Sequence, residues 1–249
     1  MYSSVLFEAD QTFGEPSQTK DNIGMEPVYY NAAAEGKIEV FKDIPEPLNQ
    51  LLTSNKNRVL HIYLTSLIKE SESSTAFVEE ILRMCSPLLC QANVKDETPL
   101  HIAARYGHAD IVEVLIDHAK RRQQDPESEV KVLIDPESGV DKAVKEMLMM
   151  KNKENETAMH EAVRNNHLEV VKLLVENGED ISYSANDAGE TPLYMAVERN
   201  YREVVLHILE NCKSLTHDGP LGGTTLLAAV IWNDDGNALM PIYFFNIPV

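Results

Sequence analysis

The sequence has few cysteines, one tryptophan and a shortage of basic residues, and each of these narrows the possible functions. Among 249 residues, the three cysteines Cys85, Cys90 and Cys212 cannot all pair and show no zinc spacing with histidine, which predicts reduced, buried thiols. Acidic residues outnumber basic ones by 40 to 22, giving a net charge of −18. That charge disfavours a nucleic-acid or anionic-membrane surface. It fits either a solvated acidic surface or a basic partner.

Long apolar runs are also missing. The longest, Leu226–Trp232, is far shorter than the roughly 20 residues of a membrane-spanning helix. Met1–Lys20 lacks the basic and apolar regions of a secretory signal peptide. We therefore expect no membrane span in this chain and a cytoplasmic location.

Catalytic motifs are equally scarce. The phosphate-binding order GxxxxGK[ST] does not occur, and neither does G-x-S-x-G or a Cys–His nucleophile pattern. The abundant carboxylates are expected on solvated helix faces. We therefore predict that the protein is not an enzyme, with no catalytic residue, no cofactor and no metal.

The sequence does contain one stretch that recurs, best formed at residues 97–108. Thr98 is typical of a helix N-cap and Pro99 of a first helical position. Gly107 is typical of a left-handed residue that ends a helix. A second apolar helix follows from Ile111, so the unit is a helical hairpin too small to bury its own apolar face.

Related stretches begin at Thr157, Thr191 and Thr224, at intervals of 59, 34 and 33 residues from Thr98 onward. Asn166 and Asn200 occupy the turn position of Gly107, and asparagine also tolerates positive φ. A period near 33 with Thr-Pro-Leu-His-x-Ala-Ala is the signature of ankyrin repeats. The chain therefore resembles the ankyrin-repeat family. This resemblance implies an all-α solenoid of stacked helix-turn-helix units that serves as a non-enzymatic scaffold or adaptor for protein partners.

The predicted organisation follows the repeats. We expect a disordered segment at 1–24, a stack of about six repeats over 25–232, and an irregular apolar tail at 233–249. An insertion at 121–151 is expected to end in a helix packed on the stack, because Val144, Met147 and Leu148 have helical spacing. The predicted repeats are 25–54, 55–93, 94–120, 152–185, 186–218 and a partial one at 220–232.

Two local features are also predicted. The polar stretch 66–75 is expected to form an enlarged hairpin loop in the second repeat. Asn177 and Gly178 are expected to give a left-handed helix stop.

Residues 81–89, 160–164 and 219–230 give a closer resemblance. They are similar to plant ankyrin-repeat membrane proteins of the accelerated-cell-death group, over about residues 25–231. The resemblance implies plant defence and cell-death signalling through protein contacts on the cytosolic side of the plasma membrane. The relatives carry a multi-pass membrane half that this chain lacks. The alternative is therefore a truncated cytosolic ankyrin half of a membrane signalling protein.

Several residues are expected to maintain the repeat architecture. His61, His101 and His160 share one register and are expected to bind the backbone of the neighbouring repeat. A metal ladder would need ligands about 2 Å from the ion, whereas successive repeats lie roughly 10 Å apart. His108 and His167 are expected to cap or pack locally. The structural positions are Thr98, Pro99, His101, Gly107, Thr157, His160, Thr191 and Pro192.

The first helices and the loop tips form the expected partner surface. The partner is an unidentified protein, and nucleic acid is not expected. Arg105 and Tyr106 are the best candidates for a hot spot, because tyrosine and arginine dominate such sites. The candidate contacts are Arg105, Tyr106, Arg164, Asn165, Glu198 and Arg199, with loop-tip residues Lys95, Asp96, Glu97, Glu154, Asn155, Glu156, Asp187 and Glu190.

Overall fold

The computed structural model describes residues 24–68, 72–124, 142–178 and 180–212, with the side chains of 72, 73 and 122–124 left out. Within these ranges every regular element is a helix. The predictions for residues 1–23, the sixth repeat, the apolar tail and most of the insertion lie outside the described residues.

Ten of the α-helices in the described ranges form five consecutive pairs. An eleventh, α7 (Lys142–Met149), stands between the third and fourth pairs. Short 3-10 helices occur at Leu48–Gln50 and Ser86–Leu89. The pairs are α1 (Pro27–Glu35) with α2 (Glu39–Lys42), α3 (Val59–Ser66) with α4 (Glu72–Met84), α5 (Pro99–Tyr106) with α6 (Ala109–Gln124), α8 (Ala158–Arg164) with α9 (Leu168–Glu176), and α10 (Pro192–Glu198) with α11 (Arg202–Asn211).

Each pair packs on the next. The first helices contact one another in the order α1, α3, α5, α8, α10, and the longer second helices do so in the order α4, α6, α9, α11. A single apolar core runs from Ala32 to Ile208. Ala103, Ala104 and Ala162 are fully buried in it, and their small side chains allow neighbouring first helices to approach closely.

The insertion does not interrupt the stack, because α5 and α8 pack directly on each other. Its final helix, α7, lies against α6 and α8 and buries Val144, Met147 and Leu148, which confirms the predicted helix. Each such side chain contributes roughly 1.5–3 kcal/mol on burial. That contribution is enough to hold an eight-residue helix that would not form alone.

The turns between paired helices use left-handed residues. The φ angles are +75° at Gly107, +57° at Asn166 and +56° at Asn200, which confirms the prediction at these three positions. Gly36, after α1, has φ of +67° and marks the same turn in the first pair.

The predicted left-handed stop at Asn177–Gly178 is wrong. Asn177 has φ of −95°, and Gly178 is not among the residues with positive φ. A Cβ at Gly178 would lie 2.8 Å from Ile181 Cδ1 and 3.0 Å from the Leu174 carbonyl oxygen. Glycine is needed there because of close packing, which a local sequence pattern does not reveal.

The enlarged loop of the second repeat is shorter than predicted. Helix α3 ends at Ser66 and α4 begins at Glu72, whereas α5 ends at Tyr106 and α6 begins at Ala109. Residues 72–75 belong to α4. Ser73, Ser74 and Thr75 therefore lie in the first turn of α4 and not in the loop.

The loops before the first helices are closed by asparagine. Oδ1 of Asn93, Asn152 and Asn186 accepts the backbone N–H groups two and four residues further on, at 2.8–3.1 Å. Neighbouring loops are joined by three backbone hydrogen bonds of 3.0 Å each. They run from Val94 N to Asn55 O, Lys153 N to Lys95 O and Asp187 N to Glu154 O.

One residue at each loop tip has positive φ: Lys56, Asp96, Asn155 and Gly189, at +55°, +60°, +58° and +80°. Lysine is the least suited of these, because an L-residue other than glycine, asparagine or aspartate loses roughly 1–2 kcal/mol in this conformation.

The substitution Lys56→Gly should therefore raise the free energy of unfolding by about 0.5–1 kcal/mol, since the relief of strain exceeds the added flexibility of the unfolded chain. Urea unfolding measures the change. Lys95→Gly removes the same charge at a loop position without positive φ and should not stabilise. Equal effects of the two substitutions would contradict the strain argument.

Candidate protein-interaction surface

The first helices of the third, fourth and fifth pairs all begin at a threonine. Thr98, Thr157 and Thr191 occupy the N-cap position with extended backbone, at φ of −89°, −94° and −86°. Pro99 and Pro192 stand at the first helical position. The hydroxyl of Thr191 accepts the backbone N–H of Tyr194 at 3.2 Å, as an N-cap side chain should.

In the other two copies a histidine takes part in the cap. His101 Nδ1 accepts the backbone N–H of Thr98 at 3.2 Å and lies 2.8 Å from the Thr98 hydroxyl. His160 and Thr157 repeat the arrangement at 3.2 and 3.0 Å. Because a backbone N–H only donates, Nδ1 must be the unprotonated nitrogen, and the ring proton sits on Nε2.

The protonated nitrogens reach across the repeat boundary. Nε2 of His61 donates to the Glu97 carbonyl at 2.9 Å, and Nε2 of His101 donates to the Glu156 carbonyl at 3.0 Å. Nε2 of His160 is buried and makes no hydrogen bond of comparable geometry. Burial lowers the pKa of this ring to about 4, although Glu156 and the nearby Glu190 carbonyl act in the opposite direction. His61 and His101 therefore cap their own helices and bind the backbone of the next repeat, whereas His160 makes only the cap.

A second set of histidines points the other way. Nε2 of His108 donates to the Leu64 carbonyl at 3.1 Å, and Nε2 of His167 donates to the Arg105 carbonyl at 3.0 Å. The prediction of local capping or packing was therefore incomplete, because both rings bind the preceding repeat. Their shared position directly after the turn residue was the only signal in the sequence, and Tyr201 takes that position in the fifth pair.

Behind the loop tips lies a network of carboxylates and guanidinium groups. Arg105 pairs with Glu97 of its own repeat and, through two hydrogen bonds, with Glu161 of the next. Arg164 pairs in the same two-pronged way with Glu156 and lies 3.9 Å from Glu161. The network thus spans the third and fourth repeats.

Two loop asparagines extend this network. Asn93 Nδ2 donates to Glu97 Oε2 at 2.9 Å and to Asn57 Oδ1 at 3.1 Å. Asn186 Nδ2 donates to Glu156 Oε1 at 2.7 Å. The same asparagines close the loops, so each repeat's loop is linked to the charges behind it.

The three carboxylates are buried, which corrects the prediction that carboxylates lie on solvated helix faces. Burial alone would raise the pKa of Glu97. The hydrogen bonds from Asn93 and Arg105 outweigh it and leave that pKa below its ordinary value. The pKa of Glu156 is lowered in the same way, by Arg164 and Asn186 against burial. Both groups therefore stay ionised at neutral pH. Together with the histidines, arginines and loop asparagines described above, these carboxylates form what we call the frame.

The three candidate arginines are thus engaged within the protein. The side chains of Arg105 and Arg164 are 29% and 33% exposed and bind internal carboxylates. Arg199 Nη1 binds the Met195 carbonyl and Glu198 Oε2, both at 3.4 Å.

The exposed remainder forms what we call the interaction face. It comprises Tyr106 and Asn165 at the ends of first helices and the loop-tip residues Lys95, Asp96, Glu154, Asn155 and Asp187. Tyr106 is 46% exposed and its ring stacks on His108, with centroids 6.0 Å apart. Glu97 and Glu156, which were also loop-tip candidates, are buried and do not belong to this face.

Two other kinds of site are absent from the described ranges. In the described ranges no three His, Cys, Asp or Glu side chains are grouped as metal ligands. No helix in the part of the chain that the structure describes is both long and apolar enough to cross a membrane.

Comparison with protein families decides what the repeating frame is. A model described as ankyrin repeats (3 copies) matches residues 126–219, and one described as ankyrin repeat matches residues 95–126. Together they span residues 95–219, half of the chain. The chain belongs to the ankyrin-repeat family. Ankyrin repeats are modules for protein–protein interaction, and the matches include no catalytic family.

One curated relative is Protein ACCELERATED CELL DEATH 6 of Arabidopsis thaliana, which is 23% identical over 170 residues. The match covers 67% of this chain and 23% of the relative. The ankyrin-repeat chain therefore corresponds to less than a quarter of that protein's length.

Solved structures share the fold. An ankyrin repeat domain from Acinetobacter baumannii has a TM-score of 0.59 at 16% identity, covering 82% of this chain and 90% of that one. The ankyrin repeat domain of Bcl-3, a member of the IκB family, has a TM-score of 0.59 at 19% identity, with coverage of 83% and 80%. Identities this low establish the common architecture alone.

The turn at Gly107 gives a first test of the frame. A Cβ there would lie 2.5 Å from His167 Nδ1, in addition to the strain of φ at +75°. Gly107→Ala should therefore cost roughly 2–4 kcal/mol of unfolding free energy, from the two effects together. Thermal and urea unfolding measure it.

A companion substitution separates the two effects. Gly107→Asn accepts the positive φ, as Asn166 and Asn200 do, but still meets His167. Adding His167→Ala removes that contact but also the hydrogen bond to the Arg105 carbonyl, so the double variant should lose less than the sum of the two single losses. A Gly107→Ala protein that unfolds at the wild-type midpoint would contradict both the turn and the contact.

The network gives a second test. Arg105→Met keeps the aliphatic stem but leaves Glu97 buried without its cation and Glu161 with only Arg164, 3.9 Å away. We expect a loss of about 2–3 kcal/mol, below the roughly 3–5 kcal/mol of a fully buried pair, because Arg105 is partly exposed to solvent. Glu161→Ile is the matched partner in a double-mutant cycle, since Ile102 occupies the same register in the third repeat. Strictly additive losses would show that Arg105 and Glu161 do not interact.

Proposed function

We propose that this ankyrin-repeat protein is a non-enzymatic scaffold that binds a protein partner along the interaction face, in plant defence and cell-death signalling. The observation that supports the binding role is a contrast between frame and face. Several frame residues recur from repeat to repeat, as with Asn93, Asn152 and Asn186. The exposed residues differ, as with Tyr106 and Asn165 at equivalent positions.

A constant frame with variable outward side chains is what a recognition surface needs. The frame holds the backbone of each loop by hydrogen bonds to its neighbours, so little conformational entropy remains to be lost on binding. The varied side chains then provide specificity. Solenoid repeats present extended surfaces of this kind to their partners.

Tyr106 is the centre of the proposed contact. It is large, half exposed, and supported from behind by the buried ring of His108. Tyrosine is one of the three residue types that are enriched at hot spots. Arg105, the other candidate, supports the face from within, since its guanidinium binds Glu97 and Glu161.

The signalling role is supported by the plant relative. Its name refers to accelerated cell death, and the match covers 67% of this chain. Because the match covers only 23% of that relative, a second candidate function stands beside the first. In this second candidate function, the chain is the cytosolic ankyrin part of a multi-pass membrane signalling protein.

Fractionation of the native protein separates these two functions. A free scaffold should be recovered in the supernatant after high-salt extraction. Recovery of the native protein only in a salt-resistant membrane pellet would contradict the free scaffold and favour the membrane protein.

Binding itself is tested with Tyr106→Ala. Partners captured by proximity labelling with the wild-type chain should bind this variant at least about tenfold more weakly, because a hot-spot residue contributes 2 kcal/mol or more. Tyr30→Ala is the matched control: Tyr30 is 45% exposed but lies on α1, away from the turn ends. Similar loss in both variants, or none in Tyr106→Ala, would place the contact elsewhere. Melting curves confirm that both variants are folded.

A further inference from the structure

We propose that His61 and His101 make the junctions between the second, third and fourth repeats an acid-sensitive joint, in which a proton on either ring breaks a helix cap and loosens the adjoining repeat. The proposal concerns the frame and does not depend on what the interaction face binds.

Both nitrogens of each ring are committed. His101 Nδ1 accepts the Thr98 N–H, and its Nε2 donates to the Glu156 carbonyl. His61 Nδ1 accepts the Arg58 N–H at 3.4 Å, and its Nε2 donates to the Glu97 carbonyl. A protonated imidazole has two donors and no acceptor. A proton on Nδ1 would therefore face a backbone N–H that can only donate.

The cost falls where two repeats meet. The rings of His61 and His101 are each 1% exposed, so a positive charge there has no access to water. The backbone N–H displaced from Nδ1 would be left buried without an acceptor. The first helix would lose its cap at the point where it contacts the next repeat. In a stack held by nearest-neighbour contacts, such a loss weakens that junction first.

The charged groups that face His101 come from three elements. Glu97 precedes α5, Arg105 lies on α5 itself, and Glu161 projects from α8. The carboxylates would favour a protonated ring, but both are already paired with Arg105, whose charge opposes protonation. Burial is the largest influence and lowers the pKa of His101.

His61 has a similar environment. Its charged neighbours are Arg58 before its own helix and Glu97 from the next loop, with His101 beyond. Burial is again the largest influence and lowers the pKa of His61 to about 4.

The sign of the pH effect follows from these pKa values. The ordinary pKa of histidine is about 6.5 and folding lowers that of His61 to about 4, so between these values the unfolded chain binds more protons than the folded one. The lowered pKa of His101 acts in the same direction. Stability is fully present above pH 6.5 and falls as the pH drops towards 4. The lowered pKa values of Glu97 and Glu156 act only below their ordinary value of 4.5. The window from pH 6.5 to 5 therefore isolates the histidines.

The experiment compares unfolding equilibria by urea denaturation at pH 7.2, 6.0 and 5.2 in the wild type and in His101→Gln. Glutamine at this position can accept the Thr98 N–H and donate to the Glu156 carbonyl, but it carries no charge at any of these pH values. The wild-type folding equilibrium should fall by up to tenfold per pH unit for each linked histidine below pH 6. In His101→Gln the decrease of the folding equilibrium constant with falling pH should be weaker by up to tenfold per pH unit, because one linked histidine is missing.

His118→Gln is the matched control, because His118 binds the Ser86 side chain and caps no first helix. Its slope should equal that of the wild type. Hydrogen exchange at pH 5.2 should rise first in the amides of α3 and α5. A flat wild-type profile, or an unchanged slope in His101→Gln, would overturn the proposal. If that variant does not fold, NMR titration of the wild-type rings decides: rings that titrate near pH 6.5 in the folded protein would overturn it.

Discussion

No helical pair in this protein can bury its own apolar face, and the remaining architecture follows from that constraint. The core is continuous because each pair completes its neighbour, with the buried alanines Ala103, Ala104 and Ala162 allowing close approach of the first helices. Apolar contact alone does not set the relative position of two repeats. Directed hydrogen bonds do, and the rings of His61 and His101 supply them in one direction while those of His108 and His167 supply them in the other.

The division between frame and face explains where the charges lie. A carboxylate removed from water needs a cation or strong donors, and Glu97, Glu156 and Glu161 obtain them from Arg105, Arg164 and the loop asparagines. The arginines that the sequence suggests as partner contacts are thus largely committed inside the protein. What remains for a partner is the set of side chains that the frame does not use, and these differ between repeats.

Much of the fold could be predicted from local chemistry. The threonine starts and the left-handed turns at Gly107, Asn166 and Asn200 each depend on a few adjacent residues, so a repeated pattern reveals them. The apolar spacing that predicted α7 is local in the same sense. Gly178 could not be read in this way. A glycine is required at position 178 because Ile181 and Leu148, which belongs to a separate helix, pack closely against it. The local Asn-Gly sequence resembles that of a left-handed stop.

The sequence by itself determined the period, the helical character of the units and their membership of an ankyrin-type stack, because these arise from the conformational preferences of residues near one another in the chain. Only the tertiary structure decided which polar side chains are buried and which groups they bind. His167 reaches Arg105 and Arg105 reaches Glu161 across 62 and 56 positions that include the insertion. Whether a charged side chain meets water or a buried partner depends on which repeats the fold brings together, and that information is not contained in any single repeat.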